Sequence, residues 1–302
     1  MANDKILLLE VAPAGRIIEF DTVTATHRIL VDELYDFPDG IAVDWQHQRL
    51  FYSSMGRIKE PESLEFFQAD GMIAEVSLDG HQRHKLVGNG LFVTGKQVAF
   101  DEEKQQIYWC DREGMRVCRY DVLSGRMEVL VQTGLYPRDA HDYSRHCVGI
   151  ALDKPHNHFY WTQKGRPKGG EGRILRACLQ PDEEYDAAVR TDIVTVLDNL
   201  PEPIDLEIDH ANQIMYWTDR GLDAAGGNSL NCASIGADGL TNHEVLATGL
   251  QEGIGLAADF ASSVIYITDL GGNLWRYDIR QRGPLRKLAQ FGSLTGIALL
   301  KQ

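Results

Sequence analysis

The sequence predicts an all-β protein, a six-bladed β-propeller with four antiparallel strands in each blade. Three observations carry that expectation. A Tyr-Trp pair recurs at Tyr108-Trp109, Tyr160-Trp161 and Tyr216-Trp217, with the variants Phe51-Tyr52 and Tyr266-Ile267 outside them. Ahead of each pair lies a short apolar strand ending in an acid, at Asp44, Asp101, Asp153, Asp209 and Asp259. A sixth such strand, 296–300, closes the chain without the rest of its repeat, while three strand-like segments stand unassigned at the other end. Self-similarity at a period of this size is the mark of radial or stacked repetition.

Element by element, each repeat reads as four runs of β-branched, aromatic and alternating apolar residues, separated by turns rich in Gly, Asp and charge. The first blade spans 40–44, 49–53, 72–78 and 83–87, and the second 97–101, 106–110, 115–121 and 126–131. The third spans 148–152, 158–162, 173–179 and 192–197, and the fourth 204–208, 213–218, 229–235 and 243–247. The fifth spans 254–258, 263–268, 273–279 and 285–290. Joining the N-terminal segments 5–11, 15–21 and 26–31 to 296–300 completes a sixth blade and closes the ring, which removes long exposed edges. All 302 residues, 1–302, then belong to one domain.

Composition limits the function. A formal net charge of −14 argues against a partner that is nucleic acid or an anionic membrane, since both need a cationic surface. No apolar run reaches transmembrane length, and Ile6–Leu9, interrupted by Glu10, is too short for a signal segment. Five cysteines (Cys110, Cys118, Cys147, Cys178 and Cys232) form no C-x-x-C pair and read as free, buried thiols. No Asn-x-Ser/Thr acceptor occurs. A cytoplasmic protein without cofactor is the expectation.

The motifs Tyr108-Trp-Cys-Asp111, Tyr160-Trp-Thr-Gln163 and Tyr216-Trp-Thr-Asp219, with the strand-ending Asp upstream, resemble the six-bladed YWTD propellers of low-density-lipoprotein-receptor type. The resemblance covers nearly the whole chain. It implies that Asp111, Asp219 and Asp269, at the fourth motif position, hold blade-to-blade hydrogen bonds. Ser53-Ser54 and Gln163 depart from that pattern and mark places where the ring was altered to admit a ligand. The strand-ending acids cap turns, and the Tyr and Trp of each pair are expected to pack between adjacent blades or toward the blade interior.

In a propeller two sets of loops build the functional face: those joining successive blades, and those joining the second and third strands. Long examples run from Met55 to Gly71, from Lys164 to Gly172, from Arg220 to Asn228 and, between blades, from Gly134 to His146. All four are expected on one face, as a lid over a central pocket. The 136–146 segment gathers Tyr136, Arg138, His141, Tyr143 and His146, a set that reads either as a site for a polar conjugated molecule or as a solvated loop. Inner-strand starts add Asp39, Lys96, Asp205 and Glu252. Asp205 and Glu207 stand where other repeats carry Gly or Gln and then Ala, either for a ligand or for a buried bond to the next blade.

Three functions fit. Cytoplasmic propellers of this kind are similar to fungal natural-product proteins, including hetero-Diels–Alderases that join the quinone methide of a tropolone to a terpene alkene. That resemblance implies a small-molecule substrate and no metal, with His141, Arg138, His146 and Lys164 as catalytic donors. Asp39, Phe66, Phe67, Lys96, Tyr136, Tyr143, Asp205, Glu207 and Glu252 would then bind substrate. The second is a lactonase or strictosidine-synthase-like hydrolase, with a divalent ion on Glu10, Asp39, Asp205 and Glu252. The third is a non-catalytic interaction propeller with exposed aromatic anchors. Oligomeric state is not legible.

Overall fold

The computed structural model describes residues 5–34, 36–58, 66–181 and 184–300. Its strands are β1 (Lys5–Ala12), β2 (Gly15–Asp21) and β3 (His27–Leu34); β4 (Pro38–Asp44), β5 (Arg49–Ser54), β6 (Met72–Ser77) and β7 (Arg83–Val87); β8 (Gly95–Asp101), β9 (Gln106–Asp111), β10 (Arg116–Asp121) and β11 (Arg126–Gln132); β12 (Cys147–Asp153), β13 (His158–Gln163), β14 (Gly172–Cys178) and β15 (Val194–Leu200); β16 (Pro203–Asp209), β17 (Ile214–Asp219), β18 (Ser229–Gly236) and β19 (Gly239–Thr248); β20 (Gly253–Asp259), β21 (Val264–Asp269), β22 (Asn273–Asp278) and β23 (Arg286–Gln290); and β24 (Ser293–Leu300). They form six four-stranded antiparallel sheets, the last in the order β24-β1-β2-β3, as the leftover segments required. The inner strands β4, β8, β12, β16, β20 and β24 touch in cyclic order around the axis. All run the same way, so the turns after them lie on one face, here the turn face. The inter-blade connections and the long second-to-third-strand loops share the other, the loop face.

Among the described residues the core is seven apolar clusters, one in each of the six seams between blades and a small seventh of Val148, Ile204 and Ile254 on the inner strands. Phe51 packs with Trp109, Tyr108 with Trp161, Tyr160 with Trp217 and Tyr216 with Ile267. Tyr266 then meets Ile6 and Leu8, and Leu7 and Leu9 meet Tyr52. The first motif residue thus leans on the next blade and the second on the previous one. That is the strand alternation expected from the sequence, and each large side chain so buried is worth about 1.5–3 kcal/mol.

The inner strands share a second feature that the sequence spacing hid. Pro38 pairs with Ser54 but Ile41 pairs with Tyr52, so β4 carries one extra residue, and the same bulge recurs in β8, β12, β16 and β20. Gly40, Gly149 and Gly255 occupy it, and a Cβ on Gly149 would overlap the Ile204 carbonyl of the neighbouring blade. The third motif residue fastens this contact. Thr162 Oγ1 accepts the Gly149 N–H at 2.7 Å and donates to Ile204 O at 2.9 Å, and Thr218 links the Asp205 N–H to Ile254 O in the same way. Ser53 donates to Lys96 O at 2.6 Å and the Cys110 thiol to Gly149 O at 3.3 Å. Thr295 Oγ1, on β24, donates to Pro38 O at 2.9 Å and closes the ring.

These bonds correct the role implied for the fourth motif position. Asp111 accepts the N–H groups of Val93 and Thr94, Asp219 that of Glu202 and Asp269 that of Gln251, so these acids anchor the incoming connection while the third residue bridges blades. Ser53, one of the expected departures, keeps the bridging role, as does Cys110. The strand-ending acids cap their turns as expected, Asp101 taking the Glu103 N–H at 3.1 Å and Asp209 that of Ala211 at 3.1 Å. All five cysteines are free, and only Cys178 is partly exposed.

Candidate functional site

The residue after the motif is cationic in three consecutive blades: Arg112 after β9, Lys164 after β13 and Arg220 after β17. Each leaves its strand at the loop face, and together they form an arc beside the axis. Carboxylates reach them from the residue just before the next inner strand. Lys164 Nζ lies 3.1 Å from Glu202 Oε1, and Arg220 Nη2 lies 2.8 Å from Glu252 Oε2. At the equivalent position before β12 stands His146, and Arg112 pairs instead with its own neighbour Glu113, Nε to Oε1 at 2.6 Å. A fourth cation, Lys96 on β8, is bound to Asp39, whose other oxygen takes Gln97 Nε2 at 3.3 Å.

Burial sets the charge states here. It pushes Lys164 down to about 8, helped by Arg112 and Arg220 and resisted by Glu202. Lys96 is lowered by burial against the pull of Asp39. Burial is the largest effect on Glu113 and would raise it, but the Arg112 guanidinium, Thr94 and His146 together outweigh it and hold the carboxyl below its ordinary range. His146, 1% exposed, is lowered by burial while Glu113 pulls the other way. Its Nε2 lies 2.8 Å from Ala140 O, which can only accept, so the ring proton sits on Nε2 and Nδ1 carries a lone pair. Among the described residues neither His146 Nδ1 nor Glu113 Oε2 has a hydrogen-bond partner.

An aromatic cover lies over the arc. The Arg112 guanidinium carbon stands 5.8 Å from the Phe66 ring centre, Phe37 meets Phe66 edge-on at 5.3 Å, and Thr94 Oγ1 donates to Phe66 O at 2.8 Å. Tyr136 OH donates to Phe67 O at 2.6 Å, the His141 ring lies 4.4 Å from Phe67, and Tyr143 lies 5.2 Å from His146. The 55–71 and 134–146 loops therefore meet as expected, although residues 59–65 of the first fall outside the described residues. A cavity of about 490 Å³ beside them is lined by His141, Tyr143, Arg166 and Arg173 among others.

Of the expected catalytic residues, the structure brings His146 and Lys164 together and places His141 in the cover. Arg138 is turned away: its side chain is 70% exposed and paired with Asp139 at 2.7 Å. The guanidinium beside His146 belongs instead to Arg112, whose side chain is 15% exposed. Lys96, Asp39 and Glu252 join the loop-face group with Phe66, Phe67, Tyr136 and Tyr143. Asp205 and Glu207 do not, because they line a separate cavity of about 490 Å³ that enters the axis from the turn face between Trp45, Glu102, His210 and Phe260. Asp205 also accepts the Leu256 N–H of the next blade at 2.9 Å, and burial, with Glu207 and Asp39 adding, pushes its carboxyl well above the ordinary range.

The carboxylates of the hydrolase reading do not converge. Glu10 accepts the Gly292 N–H at 2.7 Å and pairs with Arg16, Asp39 belongs to Lys96, Asp205 to backbone amides and Glu252 to Arg220. Among the described residues no group of three or more His, Cys, Asp or Glu side chains is placed to hold a metal ion. Arg112, Glu113, Glu202 and Arg220 were missed in the sequence. The signal was present, since stacking the repeats one residue past the motif shows a cation in three successive blades.

No protein-family model matches the chain. Over 95% of its length it is 38% identical to low-density lipoprotein receptor-related protein 1 of Pyricularia oryzae, 92% of which it covers. Over 94% of its length it is 35% identical to the 3-hydroxyacyl-CoA dehydrogenase-like protein LAM1 of Cochliobolus heterostrophus, but it spans only 60% of that protein. Among solved structures it overlays a chain of a nidogen/laminin complex with a TM-score of 0.73 at 17% identity, covering 98% of both chains. A gluconolactonase from Xanthomonas campestris gives 0.64 at 15% identity, with 97% of this chain and 87% of that one covered. Likenesses at such identity speak for the fold alone.

Proposed function

The chain belongs to the six-bladed YWTD propeller family of low-density-lipoprotein-receptor type, and from that premise we propose that it is a small-molecule biosynthetic enzyme, a cofactor-independent hetero-Diels–Alder cyclase. It joins an oxygen-bearing conjugated diene, a quinone methide, to a terpene alkene. The observation that carries this reading is the arc of Arg112, Lys164 and Arg220 under the Phe66–Phe67 cover, where oriented cationic donors stand beside aromatic surface on the propeller axis. A cytoplasmic setting, with free cysteines, suits the reading.

In such a cycloaddition one C–O and one C–C bond form and every atom of both reactants is retained, so no nucleophile or leaving group is required. The protein must hold the reactants at bonding distance and withdraw electron density from the diene oxygen. Among the described residues the terminal nitrogens of Arg112 have no hydrogen-bond partner, which leaves them for that oxygen, with Lys164 as a second donor. A donor fixed where charge develops contributes about 10²–10³ in kcat. Phe66 and Phe67 cover the apolar alkene.

The test is to release a quinone methide from a precursor in the presence of a terpene alkene and the protein, and to resolve the adducts on a chiral phase. A single stereoisomer formed above the uncatalysed rate is expected, with Arg112→Met slowing it about 10²–10³-fold and Arg138→Met leaving it nearly unchanged. A racemic adduct at the background rate overturns the reading. A metal-dependent lactonase is not adopted because its carboxylates are engaged elsewhere. Nor is the 3-hydroxyacyl-CoA dehydrogenase chemistry suggested by the LAM1 name, because no α-helix, and so no βαβ nucleotide-binding unit, occurs among the described residues.

A further inference from the structure

The cavity that enters the axis from the turn face has no part in the chemistry above. About 490 Å³ in volume, it is walled by the inner strands and opens between Trp45, Glu102, His210 and Phe260. Below that mouth Ala42, Ala99, Ala151, Ala257 and Ala298 stand at one level of the axis, and Glu207 takes the sixth place. Strand pairing fixes the level: the first four alanines and Glu207 each lie opposite the first motif residue of the strand behind, and Ala298 lies opposite Leu7. Five short side chains thus leave room across the axis from one long acid. Two residues deeper on β16, Asp205 stands where four other inner strands have Gly40, Gly149, Gly255 and Gly296. Its Oδ1 takes the Leu206 N–H and its Oδ2 the Leu256 N–H, both at 2.9 Å, which fixes the carboxyl while each oxygen retains capacity for a second bond.

Below the mouth the remaining lining is apolar except for Gln97, whose amide donates to Asp39 on the loop-face side, and no Lys or Arg is among the lining residues. A cavity with two carboxyls on one wall, hydrocarbon on the others and no fixed cation is complementary to a small organic cation. An anion would meet the acids with nothing to offset them, and an inorganic ion would leave the apolar wall uncovered. We infer that the turn-face cavity binds a compact apolar amine in its ammonium form. The N–H groups donate to the Asp205 and Glu207 carboxylates, the hydrocarbon body lies against the alanine level, and Trp45 and Phe260 flank it at the mouth. Burial, with Glu207 and Asp39 adding, resists a charge on Asp205, and an ammonium beside it offsets that resistance. This site opens on the face opposite the arc of Arg112, Lys164 and Arg220, and it stands or falls independently of the cyclase reading.

The experiment titrates the full chain, labelled with 13C at its alanine methyls, with cyclohexylmethylamine and with three probes that each lack one feature: the neutral cyclohexylmethanol, the anionic cyclohexanecarboxylate and the bodiless methylamine. The wild type is expected to bind cyclohexylmethylamine at least about tenfold more tightly than any of the three, with the methyl signals of Ala42, Ala99, Ala151, Ala257 and Ala298 moving. Glu207→Gln, and as a second variant Asp205→Asn, should each weaken the amine about tenfold and leave the alcohol nearly unchanged. Ala42→Leu, which narrows the axis at the alanine level, should weaken amine and alcohol alike. Variants are compared once thermal melting shows them folded like the wild type. Equal affinity for amine and alcohol, an unchanged preference in both acid variants, methyl shifts confined to alanines outside the axis, or no binding of the amine overturns the inference. Amine binding without cycloadduct sinks the cyclase reading alone, whereas stereoselective cyclisation by a chain that binds no amine sinks this one alone.

Discussion

Glu202 links two displaced titrations at the centre of the loop face. Its side chain pairs with Lys164 and its backbone N–H donates to Asp219 Oδ1 at 2.7 Å. Burial pushes the Asp219 carboxyl up to about 7, with Glu202 adding and the Gly221 and Glu202 amides opposing. Because the Glu202 charge raises both groups, Glu202→Gln lowers both. If Lys164 acts as a charged donor, kcat/KM falls as pH rises through about 8, and in Glu202→Gln that limb moves to lower pH. A limb that stays in place removes Lys164 from the chemistry. Asp219 gives an opposite test on stability. With a native value near 7 against 3.8 unfolded, the native state holds more protons between those values, so this group's contribution falls as pH rises through that window and is flat above it. Asp219→Asn removes the buried charge and is expected to gain on the order of 1–3 kcal/mol relative to wild type at pH 8 over pH 4, measured by urea unfolding.

At the scale of the element, the inner strand is where sequence and structure part. The strand segments were legible from alternation and turn residues, 106–110 becoming Gln106–Asp111 and 254–258 becoming Gly253–Asp259. The 243–247 segment lengthened to Gly239–Thr248, because a tight turn after Gly236 lets β19 start early. Alternation could not show the bulge, and one extra residue changes which face of the strand a side chain takes. Asp205 and Glu207 stood out as departures, and their place along β16, which runs towards the turn face, sets them on the turn-face cavity. Arg112 escaped for a different reason: its charge partner Glu113 is its own neighbour, and the recurrence of a cation one residue past the motif shows only when the repeats are stacked. The bulge has a measurable consequence. Thr218→Val leaves the Asp205 N–H and the Ile254 carbonyl buried without partners, at about 2 kcal/mol or more. Gly283→Ala, where a Cβ meets nothing within 4 Å, should change stability by no more than about 0.5 kcal/mol in the same denaturation assay. Equal effects at the two sites would remove the fastening role of the third motif residue.

For the whole molecule, the ring is held shut by one strand. β24 pairs with β1, supplies Leu294 and Ile297 to the seam with the fifth blade and Ala298 to the seam with the first, and carries the closing Thr295 bond to Pro38. Without it, β1 becomes an unpaired inner edge and two of the six seams lose part of their apolar filling, while the other four keep all of theirs. Propeller seams are serial, so this loss acts on ring closure and leaves the individual sheets intact. A chain ending at Gly292 is therefore expected to keep much of its far-ultraviolet β signal, lose the single cooperative thermal transition and associate through the open edge. A peptide of residues 293–302 supplied in trans should pair with β1 by strand addition and restore a cooperative transition whose midpoint rises with peptide concentration. The same peptide with Thr295→Val and Ile297→Asp should fail to restore it. If the shortened chain melts cooperatively at the wild-type temperature without any peptide, closure by β24 is not what holds the six blades around the axis, and the arc of Arg112, Lys164 and Arg220 must owe its alignment to the remaining seams.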